Sequence, residues 1–242
     1  MAGHSKWANI RFRKGAQDAK RGKIFTKLIR EITVSARMGG DDESSNPRLR
    51  DAITKALKAN MKRDTIDNAV KRGAKGLDGD NMMEMRYEGY GPGGVAVLVD
   101  CLSDNKNRTV SEVRHAFTKH GGNLGTDGSV SYLFNKQGEI LLAKTDNEDK
   151  AMELAIDAGA EDVVEDEGQL EIIMPPEAYH NVLNALQEAD FQVEQSHITM
   201  RAQTIVPLTS DTADSLDNLV DTLEDLDDVQ TVHTNAEYPD TE

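Results

Sequence analysis

Cysteine is nearly absent from this chain of 242 residues, because Cys101 is the only one. A single cysteine excludes an internal disulfide and fits a reducing compartment, so we expect a cytoplasmic protein. No stretch approaches the roughly 18–20 apolar residues that a membrane-spanning helix needs, and the N-terminus has no apolar segment of a secretory signal. Aromatic residues make up only 5% of the chain, so its cores must be built from aliphatic side chains.

Positive charge is scarce over most of the chain. Residues 77–242 hold 9 Lys and Arg against 35 Asp and Glu, whereas residues 1–76 hold 19 against 8. The net charge of −15 therefore conceals a basic end and an acidic remainder. This segregation predicts an anionic partner at the basic end, and the acidic remainder would repel nucleic acid and confine contact to that end.

The most basic stretch is residues 1–37, which hold ten Lys and Arg, two acids and the only Trp. A concentrated positive field that contains aromatic side chains is typical of a phosphate-binding surface. About six phosphate contacts would cost roughly 10³-fold in affinity between 50 and 200 mM salt. Trp7 and Phe12 could stack on exposed bases, but Trp7 could equally anchor the basic segment on the protein. The predicted nucleic-acid-binding residues are Lys6, Trp7, Arg11, Phe12, Arg13, Lys14, Lys20, Arg21, Lys23 and Lys27.

Residues 1–76 have the pattern of a basic helical domain. After an aperiodic basic arm over 3–15, a first helix is predicted from Ala16 to Gly39. A second begins at Asn46-Pro47, which supply an N-cap and a first helical residue, and Asp64 would cap a third. The predicted inward residues are Ile24, Phe25, Leu28, Ile29, Ile32, Ala36, Leu49, Ala52, Ile53, Ala56, Leu57, Met61, Ile66, Ala69 and Val70. The cations predicted to extend the positive surface are Lys55, Lys58, Lys62, Arg63, Lys71, Arg72 and Lys75.

A Gly/Asp segment at 77–81 is interpreted as a domain boundary, after which the apolar period changes to that of strands. Residues 136–203 follow the β-α-β-β-α-β order of a ferredoxin-like domain. Segments 77–135 and 204–242 each have too few helices and strands for a two-layer fold. Together they predict one discontinuous domain, into which residues 136–203 are inserted. The predicted fold class is α+β, with an N-terminal three-helix domain and two two-layer α+β domains. Residues 129–134 are predicted to form a strand.

Catalytic and metal-binding patterns do not stand out, so we expect no enzyme, cofactor, metal site or small-molecule substrate. Cys101 lies beside a buried strand and is interpreted as a core residue. His115 and His120 are five residues apart, which does not place them on one helical face as metal ligands. An enzyme with an unrecognised site is the distant alternative.

Two glycine-rich segments and one acidic run also have structural interpretations. The glycines at 89–93 precede a strand rather than a helix, so a hairpin turn is favoured over a dinucleotide fingerprint. The segment 121–128 is interpreted as a helix-to-strand connection, with an anion contact as the lesser alternative. The aspartates over 211–228 are interpreted as the solvent face of an amphipathic helix, with a metal site as the lesser alternative.

Six motifs spread along the chain closely resemble the YebC/PmpR family. They are residues 3–10 (GHSKWANI), 14–32, 46–50, 88–94, 104–109 and 121–129. Phe12 departs from the basic or His residue expected in many relatives, which leaves stacking or phosphate contact open at that position.

The resemblance implies a cytoplasmic three-domain protein that acts as a DNA-binding transcriptional regulator. The alternative that it implies is a ribosome-associated translation factor that contacts rRNA or tRNA and relieves stalling at proline-rich stretches. We expect a monomer or weak oligomer, with DNA or RNA as partner and no membrane.

Overall fold

The computed structural model describes residues 21–76, 82–166 and 168–239. The predicted helix start at Ala16 and the predicted boundary at 77–81 lie outside these ranges. The described chain divides into two compact units, one of which is Tyr132–Ile205. The other unit combines the described residues before Tyr132 with those from Val206 onward.

Seven helices and ten strands form in the described ranges. The helices are α1 (Arg21–Gly39), α2 (Pro47–Lys58), α3 (Arg63–Ala74), α4 (Lys106–Lys119), α5 (Glu148–Asp157), α6 (Tyr179–Glu188) and α7 (Ser210–Glu224). The strands are β1 (Met83–Tyr90), β2 (Ala96–Ser103), β3 (Asn123–Leu124), β4 (Phe134–Leu142), β5 (Asp162–Asp166), β6 (Gln169–Met174), β7 (Val193–Ala202), β8 (Val206–Pro207), β9 (Val229–Thr234) and β10 (Ala236–Glu237). None of these helices is long and apolar enough to cross a membrane.

The connection between α1 and α2 depends on Asn46. Its side-chain oxygen accepts a hydrogen bond from the Leu49 backbone N–H at 3.1 Å, as the predicted N-cap should. Its side-chain nitrogen donates to the carbonyls of Ser35 and Gly40, both at 2.8 Å. The prediction for α3 was wrong at its start: Lys62 occupies the cap position, and Asp64 lies in the first turn.

The three helices share one aliphatic core. Its fully buried members include Ile32, Leu49 and Ile66. Ile24 and Leu57 were also predicted to face inward, but they are 39% and 44% exposed. The apolar stripes of α1 and α2 therefore extend beyond the surface that their neighbours cover.

The antiparallel sheet of this unit has the order β3-β1-β2-β9. Strand β9 comes from the C-terminal part of the chain and pairs with the buried strand β2, with Val99 opposite Val232. Helices α4 and α7 pack on the sheet through Phe117, Leu216 and Leu219, which are completely buried. The sheet therefore takes strands from both sides of residues 132–205 in the sequence.

Residues 129–133 do not form the predicted strand. Ser131–Leu133 is a 3-10 turn, and β4 begins only at Phe134. The backbone N–H groups of Val130 and Ser131 donate to the Glu88 carboxylate, which removes them from any strand ladder.

Residues 132–205 contain the ferredoxin-like element order β4-α5-β5-β6-α6-β7. Their antiparallel sheet has the strand order β5-β6-β4-β7, with α5 and α6 over its apolar face. Ile140, Ile172 and Val182 are fully buried in this separate core. Two buried carboxylates, Glu139 and Glu171, accept hydrogen bonds from Arg201 at 3.0 and 2.6 Å. The inserted ferredoxin-like fold is confirmed.

Candidate nucleic-acid interface

Most of the predicted nucleic-acid-binding side chains lie outside the described part of the chain. They are Lys6, Trp7, Arg11, Phe12, Arg13, Lys14, Lys20 and Arg21, of which Arg21 contributes only its backbone to α1. Lys23 and Lys27 are the two predicted residues whose side chains are described.

Lys23 and Lys27 contact the C-terminal end of α7, together with Arg30, which the sequence did not single out. Lys23 Nζ donates to the Asp225 carbonyl oxygen at 3.0 Å, and Lys27 Nζ to that of Glu224 at 2.6 Å. Arg30 Nη1 donates to the Asp227 carbonyl oxygen at 2.6 Å. The last carbonyls of a helix lack intrahelical donors and carry its negative dipole end, so cations stabilise them.

Lys27 is partly buried at this contact. Burial lowers the pKa of Lys27, and the nearby carboxylates of Glu224 and Asp225 only partly oppose that shift. The amino group of Lys27 is therefore partly buried beside acceptors from α7.

Asp228 lies next to this contact and accepts hydrogen bonds from side chains of three elements: β2, α4 and α1. Its Oδ2 accepts hydrogen bonds from Ser103 Oγ and Thr109 Oγ1, both at 2.9 Å, and from Arg108 Nη2 at 2.8 Å. Its Oδ1 accepts from Arg30 Nη1 at 3.1 Å. Burial alone would raise the pKa of Asp228, but the hydrogen bonds from Arg108, Thr109 and Ser103 outweigh it and lower the pKa.

Asp228 is an exception to the solvent face that was interpreted for most of the acidic run over 211–228. Its side chain is 2% exposed, and two of its partners belong to the motif at 104–109. The sequence did contain both partners: a polar motif, and an Asp just before the apolar strand β9. It could not show that they are in contact, because Arg108 and Asp228 are 120 residues apart.

Helices α2 and α3 and the residues just beyond them carry several exposed cations. Arg63 is paired with Glu43 and Asp67. Five lysines of this region are exposed and make no ion pair with the described residues: Lys55, Lys58, Lys62, Lys71 and Lys75. These side chains can meet phosphate without first breaking an internal ion pair.

The second glycine-rich loop surrounds an internal anion. The Glu88 carboxylate accepts hydrogen bonds from the backbone N–H groups of Gly128 at 2.9 Å, and of Val130 and Ser131 at 2.8 Å. Burial would raise the pKa of Glu88, but these hydrogen bonds lower it. The loop is thus built around a carboxylate of the chain itself.

The first glycine-rich segment is a hairpin turn, as predicted. Tyr90 pairs with Ala96 across it, and the turn contains a residue with positive φ, Gly93 at 73°, which favours glycine. A dinucleotide-binding turn would lead into a longer helix.

The surroundings of Cys101 and His120, the remaining candidate reactive or metal-binding residues, are those of structural side chains. Burial raises the pKa of the Cys101 thiol to about 12, so it is protonated at neutral pH. His120 Nε2 lies 2.8 Å from Thr222 Oγ1. Within the described ranges, no group of three or more His, Cys, Asp or Glu side chains is arranged to hold a metal ion.

The basic helical segment and the two α+β folds correspond to one known domain combination. The model of the TACO1/YebC protein N-terminal domain matches residues 5–76, and that of the TACO1/YebC second and third domain matches residues 82–236. The chain therefore belongs to the TACO1/YebC family.

Similar proteins match along nearly their whole length. A probable transcriptional regulatory protein of Legionella pneumophila (strain Philadelphia 1) is 77% identical over 240 residues, covering 99% of this chain and 97% of the relative. Another, from Thioalkalivibrio sulfidiphilus, is 62% identical over 241 residues, covering 99% and 97%.

A crystal structure of a conserved hypothetical protein from Aquifex aeolicus has a TM-score of 0.80 and 48% identity, covering 93% of both chains. The α+β fold class is confirmed. The names of the relatives describe regulators of transcription rather than enzymes.

Proposed function

We propose that this chain is a nucleic-acid-binding regulator of gene expression that binds DNA through residues 1–76. The observation that carries the proposal is the segregated charge, with exposed lysines on α2 and α3 that make no ion pair among the described residues. The names of the relatives add support, because they describe probable transcriptional regulatory proteins.

The proposed interface combines two sets of cations. The first is the basic arm up to Lys20, which contributes Trp7 and Phe12 as candidate stacking groups. The second is the exposed lysines of α2 and α3. Phosphate contacts of this kind give affinity and orientation but carry no base sequence directly. The acidic remainder of the chain would repel DNA and keep contact at the basic end.

A charge-reversal experiment tests the second set. We expect Lys55→Glu, Lys58→Glu and Lys71→Glu together to weaken binding to a labelled DNA duplex. The slope of log affinity against log salt should fall by about 3, because each phosphate contact contributes about 1. The measurement is fluorescence anisotropy over a salt series.

A matched triple variant in the inserted domain provides the control. Lys136→Glu, Lys144→Glu and Lys150→Glu reverse the same number of exposed charges in the other compact unit. They should leave the slope unchanged. Equal losses in both triples would show a general charge effect and contradict the proposed interface.

A ribosomal target is the second candidate. The sequence shows no recognition-helix signature with a dimer element, whereas RNA is often bound by shape, backbone contacts and stacking. Gradient sedimentation at low salt and ribosome profiles of a deletion strain separate the two. Ribosome association with new pauses and unchanged transcript levels would favour translation, whereas specific promoter binding without ribosome association would favour transcription.

A further inference from the structure

The helical body, defined as residues 21–76, has its own apolar core. The sheet body, defined as the described residues of 82–131 and 206–239, has another. Among the described residues, the two clusters have no member in common: Ile32, Leu49 and Ile66 belong to one, and Phe117 and Leu216 to the other. The two apolar cores therefore remain separate clusters.

The described polar contacts between the two bodies place cations of the helical body on acceptors of the sheet body. Five cationic side chains of the helical body are placed on acceptors of the sheet body. Lys23, Lys27 and Arg30 bind the carbonyls of Asp225, Glu224 and Asp227; Arg37 Nη2 donates to the Met82 carbonyl at 2.9 Å; Arg48 pairs with Glu84. Four of these five cations bind carbonyl oxygens, and two of the four also pair with carboxylates: Lys23 with Asp225 at 3.7 Å and Arg30 with Asp228 at 3.1 Å.

If the two bodies separated, the Asp228 carboxylate would keep most of its hydrogen bonds. If Arg30 departs, this buried carboxylate keeps Arg108, Ser103 and Thr109, all of which belong to the sheet body. The large penalty for an uncompensated buried charge is thereby avoided.

The cations themselves would regain water on separation. The side chain of Lys23 is already 47% exposed. Lys27 is part-buried, and its burial lowers its pKa, so docking costs this side chain part of its hydration. On docking, Lys27 loses hydration, which is unfavourable, and gains a hydrogen bond to a carbonyl oxygen, which is favourable.

We propose that Lys23, Lys27, Arg30, Arg37 and Arg48 form an electrostatic latch between the helical body and the sheet body, and that a phosphate polymer opens it. Salt screening opens the latch by weakening the contacts of these cations, since the Debye length falls to about 3 Å at 1 M salt. A phosphate polymer opens it by binding the released cations, which shifts the population towards the separated state. The polymer step rests on the proposed function, whereas the salt step does not.

Opening would add cations to the nucleic-acid interface. Lys23, Lys27 and Arg30 would turn from α7 to phosphate and join the exposed lysines of α2 and α3. Binding and opening would then favour each other, because a ligand that binds one state better shifts the equilibrium towards it.

A distance measurement on the full chain tests the latch. Spin labels are attached to Thr54→Cys on α2 and Ser111→Cys on α4, both exposed positions, while the buried Cys101 stays unlabelled. At about 50 mM salt we expect one narrow distance distribution by pulsed electron paramagnetic resonance. At about 1 M salt, or with inorganic polyphosphate at low salt, a longer and broader population should dominate.

Charge-neutral variants make the test specific. Lys23→Met, Lys27→Met and Arg30→Met together should populate the longer distances at low salt. The matched triple Lys55→Met, Lys58→Met and Lys71→Met should retain the narrow distribution. Should the first triple fail to fold, the salt titration of the otherwise unsubstituted labelled chain decides alone.

The outcomes separate the latch from the proposed function. A narrow distribution that persists at high salt overturns the latch, even if DNA binds. Opening by salt but not by polyphosphate leaves the latch and overturns the polymer step. Opening by salt in a chain that binds no nucleic acid overturns the proposed function alone.

Discussion

Asp228 shows how a single carboxylate organises its surroundings at the residue scale. It receives hydrogen bonds from β2, from the first turn of α4 and from α1. A buried carboxylate with these donors behaves as a fixed internal anion. Its removal would take this acceptor from the Ser103 hydroxyl, whereas Arg108 would keep Asp104 and Thr109 would keep the Asn105 carbonyl.

We expect Asp228→Ala to lower the free energy of unfolding by about 3 kcal/mol at neutral pH, as for one partner of a buried ion pair. Because the pKa of Asp228 is lowered in the folded state, its contribution is present above the unfolded-state pKa of about 3.9 and is lost as pH falls through the folded-state value. Urea unfolding of both proteins at neutral and acidic pH measures this.

Asp227→Ala is the control, because its exposed side chain lies next to Asp228 in the chain. A change within about 0.5 kcal/mol is expected. A loss for Asp228→Ala that did not shrink towards acidic pH would contradict the role of the ionised carboxylate.

At the scale of elements, α1 and α3 approach each other through a glycine. A Cβ atom at Gly73 would lie 2.1 Å from the Thr33 backbone carbonyl oxygen. That separation is far below van der Waals contact, and a backbone atom cannot move aside as the end of a side chain can. The spacing of the two helices therefore requires glycine at this position.

We expect Gly73→Ala to lower the free energy of unfolding by about 2 kcal/mol, the usual scale of an overpacked contact. The gain in helix propensity from alanine offsets up to about 1 kcal/mol of the clash. Urea unfolding followed by circular dichroism is the measurement. Asn68→Ala, at an exposed position of α3, should change the stability by less than about 0.5 kcal/mol; a stabilised Gly73→Ala would refute the close approach.

Local patterns predicted the elements well where the determining residues are neighbours in sequence. Asn46 and Pro47 start α2 as predicted, because a cap and the helix it serves are adjacent. The hairpin turn at residues 89–93 also forms as predicted, because the glycines that determine it are neighbours in sequence. The strand predicted over 129–134 was wrong because its competitor, Glu88, lies about 40 residues away.

The candidate site shows the same limit. Sequence alone identified Lys23 and Lys27 as cations of a basic surface. It could not show that their acceptors lie 202 and 197 residues further along the chain. The predicted contacts of Lys6 to Arg21 remain predictions.

At the scale of the whole molecule, the inserted domain has what an independent fold needs. Tyr132–Ile205 is a compact unit with its own sheet and its own apolar core. Its strands pair only with one another in the described ranges.

We therefore expect the fragment 132–205 to fold when it is expressed alone. Its urea unfolding should be cooperative, as for other small single domains, and its far-ultraviolet circular dichroism should show helix and strand. The matched fragment 82–131 lacks β9 and α7, so it should not unfold cooperatively. A disordered fragment 132–205 would contradict the separation of the two units.

The pairing of β2 with β9 has a consequence for folding during translation. Cys101 and Val229 are opposite each other, yet well over a hundred residues must be synthesised between them. At a synthesis rate of about 5–20 residues per second, roughly 6–25 s pass between the synthesis of β2 and that of β9. During this time the edge of β2 that pairs with β9 has no partner strand. Nascent chains of this protein should depend on chaperones during that interval, and the ferredoxin-like insert is complete before it ends.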